Sequence, residues 1–193
     1  MKKQAAAVIP TDWGNFNMMA YADTSVEQMP HLAIVHEDFD PTTPTLVRIH
    51  SECMTGDVFT SHRCDCGEQL ARAFELTAEV GGAIIYLRQE GRGIGLINKL
   101  KAYNLQDEGL DTVEANVHLG HEVDARQYDI AIEIMQDLGM QQIRLLTNNP
   151  LKVKALEYSE IDILSREPIV IPAKKENKSY LRTKREILGH LLS

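Results

Sequence analysis

All three cysteines of this 193-residue chain fall in residues 53–66, CMTGDVFTSHRCDC, at the spacing C-x10-C-x-C. Cys64 and Cys66 flank one residue and Gly67 follows, so two thiolates on a tight turn can chelate one ion. Cys53 can reach the same ion from the end of the preceding RIHSE stretch. Soft thiolates suit zinc best among the common cytosolic metals. The plainer alternative is three buried structural cysteines, the usual fate of a lone one. Their crowding beside His62, Arg63 and Asp65 favours a metal. Ligand number then decides the chemistry. Four protein ligands close a structural site, whereas three leave a position for water and supply hydroxide near neutral pH. His50 or His62 could be the fourth ligand, and the cysteines alone leave that open.

Two other stretches have anion-binding features. RQEGRGIGL (88–96) leaves a strand-like run, crosses three glycines and enters a helical pattern, where backbone N–H groups and a helix start favour negative charge. Its spacing, Gly91-x-Gly93-x-Gly95, is neither the dinucleotide fingerprint nor a P-loop. A flexible helix entry would explain it, but Arg92 tips the reading toward phosphate. In TNNPLK (147–152), Asn149 can cap a helix whose first residue is Pro150. That accounts for both residues but not for Lys152, a cation in the first turn where the helix dipole disfavours it. A bound polyanion would account for it. VDARQY (123–128) repeats the anomaly. Asp124 and Gln127 are spaced as a capping box, which predicts a helix start with Arg126 at its second position, against the dipole.

The elements that must position these residues alternate. TLVRIH (45–50), GAIIYLRQ (82–89), QIRLLT (142–147) and PIVIP (168–172) read as strands. Leu70, Ala73, Phe74 and Thr77 mark one helix face. Leu96, Leu100 and Tyr103, with Ile97 beside them, mark a second. Tyr128, Ala131, Ile132, Met135 and Leu138 mark a third that stops at Gly139. A short fourth helix follows NNP, from Leu151 to about Tyr158. The expected fold is α/β, a single layered domain over 1–193 with a mixed β-sheet flanked by helices, and its sites lie in the turns after strands. A tail from about 173 to 193 is expected to be mobile.

Composition sets bounds. Hydrophobic residues are 44% and charged residues 25%, ordinary globular values that argue against disorder. The net charge of −8 weighs against a nucleic-acid partner, though not against a small anion held by a few local cations. No apolar run approaches a membrane span, and the short apolar start is broken by Pro10, Asp12 and Gly14. The expected compartment is therefore the cytoplasm, where thiols stay reduced.

Taken together, HSECMTGD, RCDCGEQL, RQEGRGIGL, DTVEAN, LLTNNP and the tail YLRTKREILGHLL resemble the GTP cyclohydrolase II family of riboflavin biosynthesis. They occur in the family's order over nearly all of residues 7–192. With no second domain ahead of them, the stand-alone form is expected in preference to the fusion with dihydroxybutanone phosphate synthase. The resemblance implies that Cys53, Cys64 and Cys66 bind one zinc ion with water in the fourth position. It implies GTP contacts at Arg48, Ile49, His50, Ser51, Glu52, Gln69, Glu90, Gly91, Arg92, Thr112, Thr147 and Lys152. Asp124 matches the family's proton acceptor, Arg126 its nucleophile toward the α-phosphate, and Tyr103 a tyrosine of the ring-opening step. The implied reaction turns GTP and water into formate, pyrophosphate and 2,5-diamino-6-ribosylamino-4(3H)-pyrimidinone 5′-phosphate. Mg²⁺ is expected on the triphosphate, and a homodimer is expected from the family. Glu90 and Gln69 are the expected readers of guanine, Arg92 and Lys152 the expected phosphate contacts.

Two rival readings compete with this one. A nucleotide-binding oxidoreductase would use 88–96 as its dinucleotide turn, but the glycine spacing is wrong and no clear acidic residue stands at the expected distance. A non-catalytic zinc-binding module is opposed by the net charge and the lack of a fourth cysteine.

Overall fold

The stretch TLVRIHS buries every residue but its last, because it runs through the interior of a seven-stranded sheet with a partner on each side. The structure is a computed structural model and describes residues 1–192. Three strands come first: β1 (Lys2–Thr11), β2 (Gly14–Ala22) and β3 (His31–His36). The central strand β4 (Thr45–Ser51) follows, then the short α1 (Met54–Asp57), α2 (Cys66–Val80) and β5 (Ala83–Leu87). A 3-10 turn at Glu90–Gly93 leads into α3 (Gly95–Asp107), α4 (Thr112–His118) and α5 (Asp129–Asp137). The chain closes with β6 (Gln142–Leu146), α6 (Pro150–Leu156), β7 (Asp162–Glu167) and α7 (Lys178–Glu186).

The strand order is β1-β2-β3-β5-β4-β6-β7. β1, β2, β3 and β5 pair antiparallel in turn, whereas β5, β4, β6 and β7 pair parallel, so the sheet is mixed as expected. Period-two alternation splits β4 between two cores. Val47 and Ile49 join Ile85, Leu145 and the α5 residues Ala131, Ile134 and Met135 on one face. Leu46 joins Ile84, Tyr86 and Ala73 of α2 on the other. Full burial of each large aliphatic chain contributes about 1.5–3 kcal/mol, and Ile49, Ile85 and Leu145 are completely buried. Arg48 and His50 point to the α2 side by the same alternation, which carries two polar side chains toward the sheet's carboxyl edge. From β4 the chain goes to β5 on one side, and from β5 it crosses to β6 on the other. The crevice at this reversal, beyond the strands' carboxyl ends, is where α/β sheets place ligands.

Three sequence expectations need correction. PIVIP is not a strand, and the last strand lies one step earlier at Asp162–Glu167. Pro168 has no N–H for a ladder, and the Asn148 side chain takes the place of a strand partner. It donates to the Ile169 carbonyl at 2.6 Å and accepts the Ile169 N–H at 3.0 Å. On α3, Ile97 is 74% exposed and Leu100 47%, while Lys99 and Ala102 are buried. That helix turns Lys99 inward because the site lies beneath it. The third correction concerns Asp124, which caps no helix, since α5 begins only at Asp129 with Tyr128 as its N-cap. The capping box lies elsewhere, at Asp111 and Glu114 of DTVEAN, where it opens α4 at Thr112.

Candidate active site

The three sulfurs converge just past the end of β4. Cys53 follows that strand after Glu52, and α1 turns the chain so that Cys64 and Cys66 arrive at the start of α2. Cys53 Sγ lies 3.6 Å from Cys64 Sγ, and all three sulfurs lie within 4.8 Å of one another. Thiolates around a tetrahedral zinc ion, at ~2.3 Å from it, stand about 3.8 Å apart, so the cluster fits that ion. The chain leaves room for it. A Cβ on Gly56 would sit 2.9 Å from Cys64 Sγ and 3.2 Å from Cys53 Sγ. One on Gly67 would meet the Gly56 carbonyl at 2.2 Å, so both turns require glycine.

Neither candidate fourth ligand joins the cluster. His50 Nε2 is held 3.1 Å from the Asp57 carboxylate, which also accepts the Cys53 N–H and the Tyr86 hydroxyl, each at 2.9 Å. His62 is exposed. Among the described residues the grouping is three sulfurs only, the open set that keeps a coordination position for water. Lys99 Nζ stands 3.1 Å from Cys53 Sγ and 2.7 Å from Glu90. Hydrogen bonds from Cys64 and Cys66 together with the Lys99 charge outweigh burial and hold the Cys53 thiol far below its usual range. Cys64, donating to Cys53, is pushed up to about 11.

A cavity opens over the sulfurs, with Ser51, Glu52, Glu90, Gly91, Arg92, Tyr103, Thr112 and Arg126 in its wall. The Glu90 carboxylate accepts from the Met54 N–H (2.6 Å), the Gly91 N–H and Lys99, so it clamps the turn to the cysteine loop. Arg92 has a left-handed backbone at φ 63°, uncommon for a residue with a side chain, and this turns its guanidinium toward the crevice. Its carbonyl accepts the Ala125 N–H at 3.2 Å, and Gln89 donates to the Gln127 carbonyl at 2.6 Å. These bonds bring Arg126 to the same wall. Tyr103 lies beside the cluster, with its hydroxyl 3.5 Å from Thr55 Oγ1 and the Arg63 guanidinium 4.9 Å from its ring centre.

A second cavity shares Ser51, Cys66, Arg92, Arg126 and Tyr180 with the first. Arg48, His50, Gln69, Thr147 and Lys152 also line it. Lys152 is buried and donates to the Ile49 carbonyl at 2.6 Å. Burial first, then the charges of Arg48 and Arg126, pushes its pKa well below the normal lysine range. Gln69 accepts from Arg48 at 2.7 Å and donates to Asp65 at 2.6 Å, so both ends of its amide are engaged in the cation framework. Arg48 Nε, Arg92 Nη1, His50 Nδ1 and Ser51 Oγ are buried here without a hydrogen-bond partner among the described residues.

Two expected site residues line neither cavity. The Ile49 side chain is fully buried in the core, and only its carbonyl reaches the site. Asp124 lies behind Arg126, accepting from Nε at 2.8 Å and from Nη2. Burial alone would lower the Arg126 pKa, but the Asp124 hydrogen bonds, with Tyr128 adding to them, raise it above normal. The helix start expected at this pair is absent, because residues 124–128 are irregular. Sequence reasoning missed Lys99, Tyr180, Lys184 and His190. Lys99 had a signal, since it sits on the line of Leu96 and Tyr103 at helical spacing.

Fold and crevice together define an α/β protein with a three-sulfur cluster and a cation-lined chamber side by side at its switch point. The chain belongs to the GTP cyclohydrolase II family, whose profile matches residues 2–168. It is 52% identical over 192 residues to riboflavin biosynthesis protein RibBA of Bacillus cereus, covering 99% of this chain and 48% of that protein. The RibBA of Bacillus cytotoxicus matches at the same identity and coverage. The chain thus spans about half the length of these curated relatives. Among solved structures, RibBX of A. baumannii, a two domain 3,4-dihydroxy-2-butanone 4-phosphate synthase, matches with a TM-score of 0.48 at 19% identity. That match covers 87% of this chain and 40% of the other.

Proposed function

We propose that this chain is a hydrolase of cyclic amidine C–N bonds that converts GTP and water to formate, pyrophosphate and 2,5-diamino-6-ribosylamino-4(3H)-pyrimidinone 5′-phosphate. The observation that carries the proposal is the wall common to the two cavities. Sulfurs line one side of it and cations the other, so a purine and its phosphates can be engaged at once. Zinc held by Cys53, Cys64 and Cys66 would supply a Lewis acid that makes water nucleophilic near neutral pH. Tyr103 stands where it can donate or accept the proton of ring opening. Arg48, Arg92 and Lys152 bind the phosphates. Glu52, Glu90 and Thr112 line the guanine side, where Glu90 must exchange part of its clamp on Lys99 and Met54 for the base.

Arg126 faces both cavities and is assigned attack on the α-phosphorus, with Asp124 as proton acceptor. The P–N bond forms as the bond to the β-phosphate oxygen breaks, pyrophosphate leaves with that electron pair, and water later cleaves the P–N bond. The resting pair holds the arginine proton tightly, so transfer to Asp124 has to accompany phosphate approach. Mg²⁺ would arrive on the triphosphate, since the second cavity offers hydroxyl, amide, imidazole and cationic groups but no carboxylate. The reading includes a single domain, a cytoplasmic location and a homodimer. The exposed apolar edge strand β1, with Val8 65% exposed, gives a second copy a surface to cover. No helix among the described residues is long and apolar enough to cross a membrane. Formate and pyrophosphate released in equal amounts from GTP by the zinc-loaded protein would support the activity. Absence of both would end it.

A further inference from the structure

Five cations line the second cavity, and two of them have carboxylate partners: Arg126 with Asp124 and Lys184 with Asp65. Among the described residues, Arg48, Arg92 and Lys152 have no carboxylate opposite them. Positive charge gathered this way is costly to bury, and a bound anion offsets that cost. Part of this wall comes from the end of the chain. α7 packs with Thr183 and Lys184 buried, and Lys184 Nζ reaches Asp65 at 2.8 Å. The backbone then turns back. The His190 N–H donates to the Lys184 carbonyl at 2.9 Å, and the Leu191 N–H donates to the Asn148 carbonyl at 2.9 Å, beside the start of α6. These two bonds place the His190 imidazole against the cavity that Lys152 and Arg126 also line.

We propose that the C-terminal segment, through Lys184 and His190, forms the far wall of the anion chamber and binds the polyphosphate end of the ligand. Lys184 supplies charge. Its link through Asp65 and Gln69 to Arg48 sets the spacing across the chamber. His190 adds an imidazole to the cation-lined wall, able to hydrogen-bond a terminal phosphate oxygen. Arg48 Nε and Arg92 Nη1, both buried and unpartnered, face the same ligand from the sheet side. The identity of that ligand as GTP rests on the function proposed above, but the anion site does not.

Calorimetric titration of the zinc-loaded, full-length protein with inorganic pyrophosphate, GTP and guanosine tests the inference. His190→Ala and Lys184→Met should each weaken pyrophosphate and GTP by about 10–100-fold, the scale of one hydrogen bond to a charged group. Neither should alter guanosine binding or zinc content. Lys184→Met strands a buried Asp65, so if that variant fails to fold, His190→Ala decides. Unchanged pyrophosphate affinity in His190→Ala, or in a folded Lys184→Met, overturns the proposal. The two readings fail separately. Wild-type protein that binds pyrophosphate through His190 but forms no formate would remove the GTP activity and leave the anion site. Formate formation alongside unchanged variant affinities would do the reverse.

Discussion

Beside the sulfurs the lysine charge is matched: Lys99 lies 3.1 Å from Cys53 Sγ and 2.7 Å from Glu90. In the cation chamber next to it, Arg48, Arg92 and Lys152 have no carboxylate partner among the described residues, and burial pushes the Lys152 pKa down. The first arrangement is self-contained, and its hydrogen bonds fix geometry without any ligand. The second holds a positive potential that a bound polyanion relieves. Two charges about 4 Å apart near a protein surface interact by roughly 4 kcal/mol, so several unscreened cations are a strong demand on the ligand. One chamber is built for position, the other for charge.

The sharpest way to separate them is to damage the first alone. Cys64→Ser should lower zinc content and abolish formate release while leaving secondary structure in place, since an α/β core of this length does not depend on one metal. Pyrophosphate affinity should be largely retained, and chelation of the wild type should give the same pattern. Metal analysis, circular dichroism and calorimetry on one preparation would test this. Formate production at the wild-type rate after zinc loss would show that the metal mechanism is wrong.

Damage to the second chamber should look different. Arg126→Lys keeps a charge but loses the forked grip on Asp124, and Arg126→Ala loses both. With Arg126 as nucleophile, both variants should nearly stop pyrophosphate release. Mass spectrometry of quenched wild-type protein should then find a phosphoramidate on that residue. Robust pyrophosphate release from both variants would leave direct attack by water on the α-phosphorus. Tyr103→Phe belongs to the sulfur side and should be milder, with ring opening slowed by about 10²–10⁴-fold and GTP affinity nearly constant. A near-normal rate would reduce the hydroxyl to a packing contact.

The chambers also differ in how much of each could be read from the sequence. The sulfur cluster is local. Fourteen residues hold all three cysteines, and their spacing alone pointed to chelation. The cation chamber draws Arg48, Arg92, Arg126, Lys152 and Lys184 from five separate segments. Lys152 showed as a cation against a helix dipole, whereas Arg126 looked anomalous for a reason the fold removed. Lys184 and His190 gave no signal, because nothing local says that the segment after a charged C-terminal helix turns back to bond beside the start of α6. The same limit applies to the fold. Buried parallel strands with continuous apolar runs were legible, as were helices with a regular stripe. β1 to β3 were missed because their mixed, partly exposed sequences pair only through tertiary register. PIVIP was misplaced because Ile169 alone of it fills a core, from a loop that the Asn148 side chain holds, while Val170 is exposed.

His190 offers the smallest test, and it reads the potential directly. Burial first, then Lys184, Arg126, Lys152 and Arg92, lowers its pKa from 6.5 to about 3. The folded protein therefore keeps this imidazole neutral, while the unfolded chain protonates it below pH 6.5. Below that pH the unfolded state binds more protons, so this contribution to stability is complete above pH 6.5 and falls as pH drops toward 3. Between pH 7 and pH 5.5, His190→Gln should lose about 2–4 °C less in melting temperature than the wild type. Pyrophosphate should reverse the shift. By cancelling the surrounding positive charge it should let His190 take up a proton, seen near pH 6 as a binding enthalpy that depends on buffer ionisation and disappears in His190→Gln. Equal acid sensitivity in both proteins, with no proton uptake, would mean that the imidazole does not feel the cations around it. The two chambers would then differ in composition but not in potential.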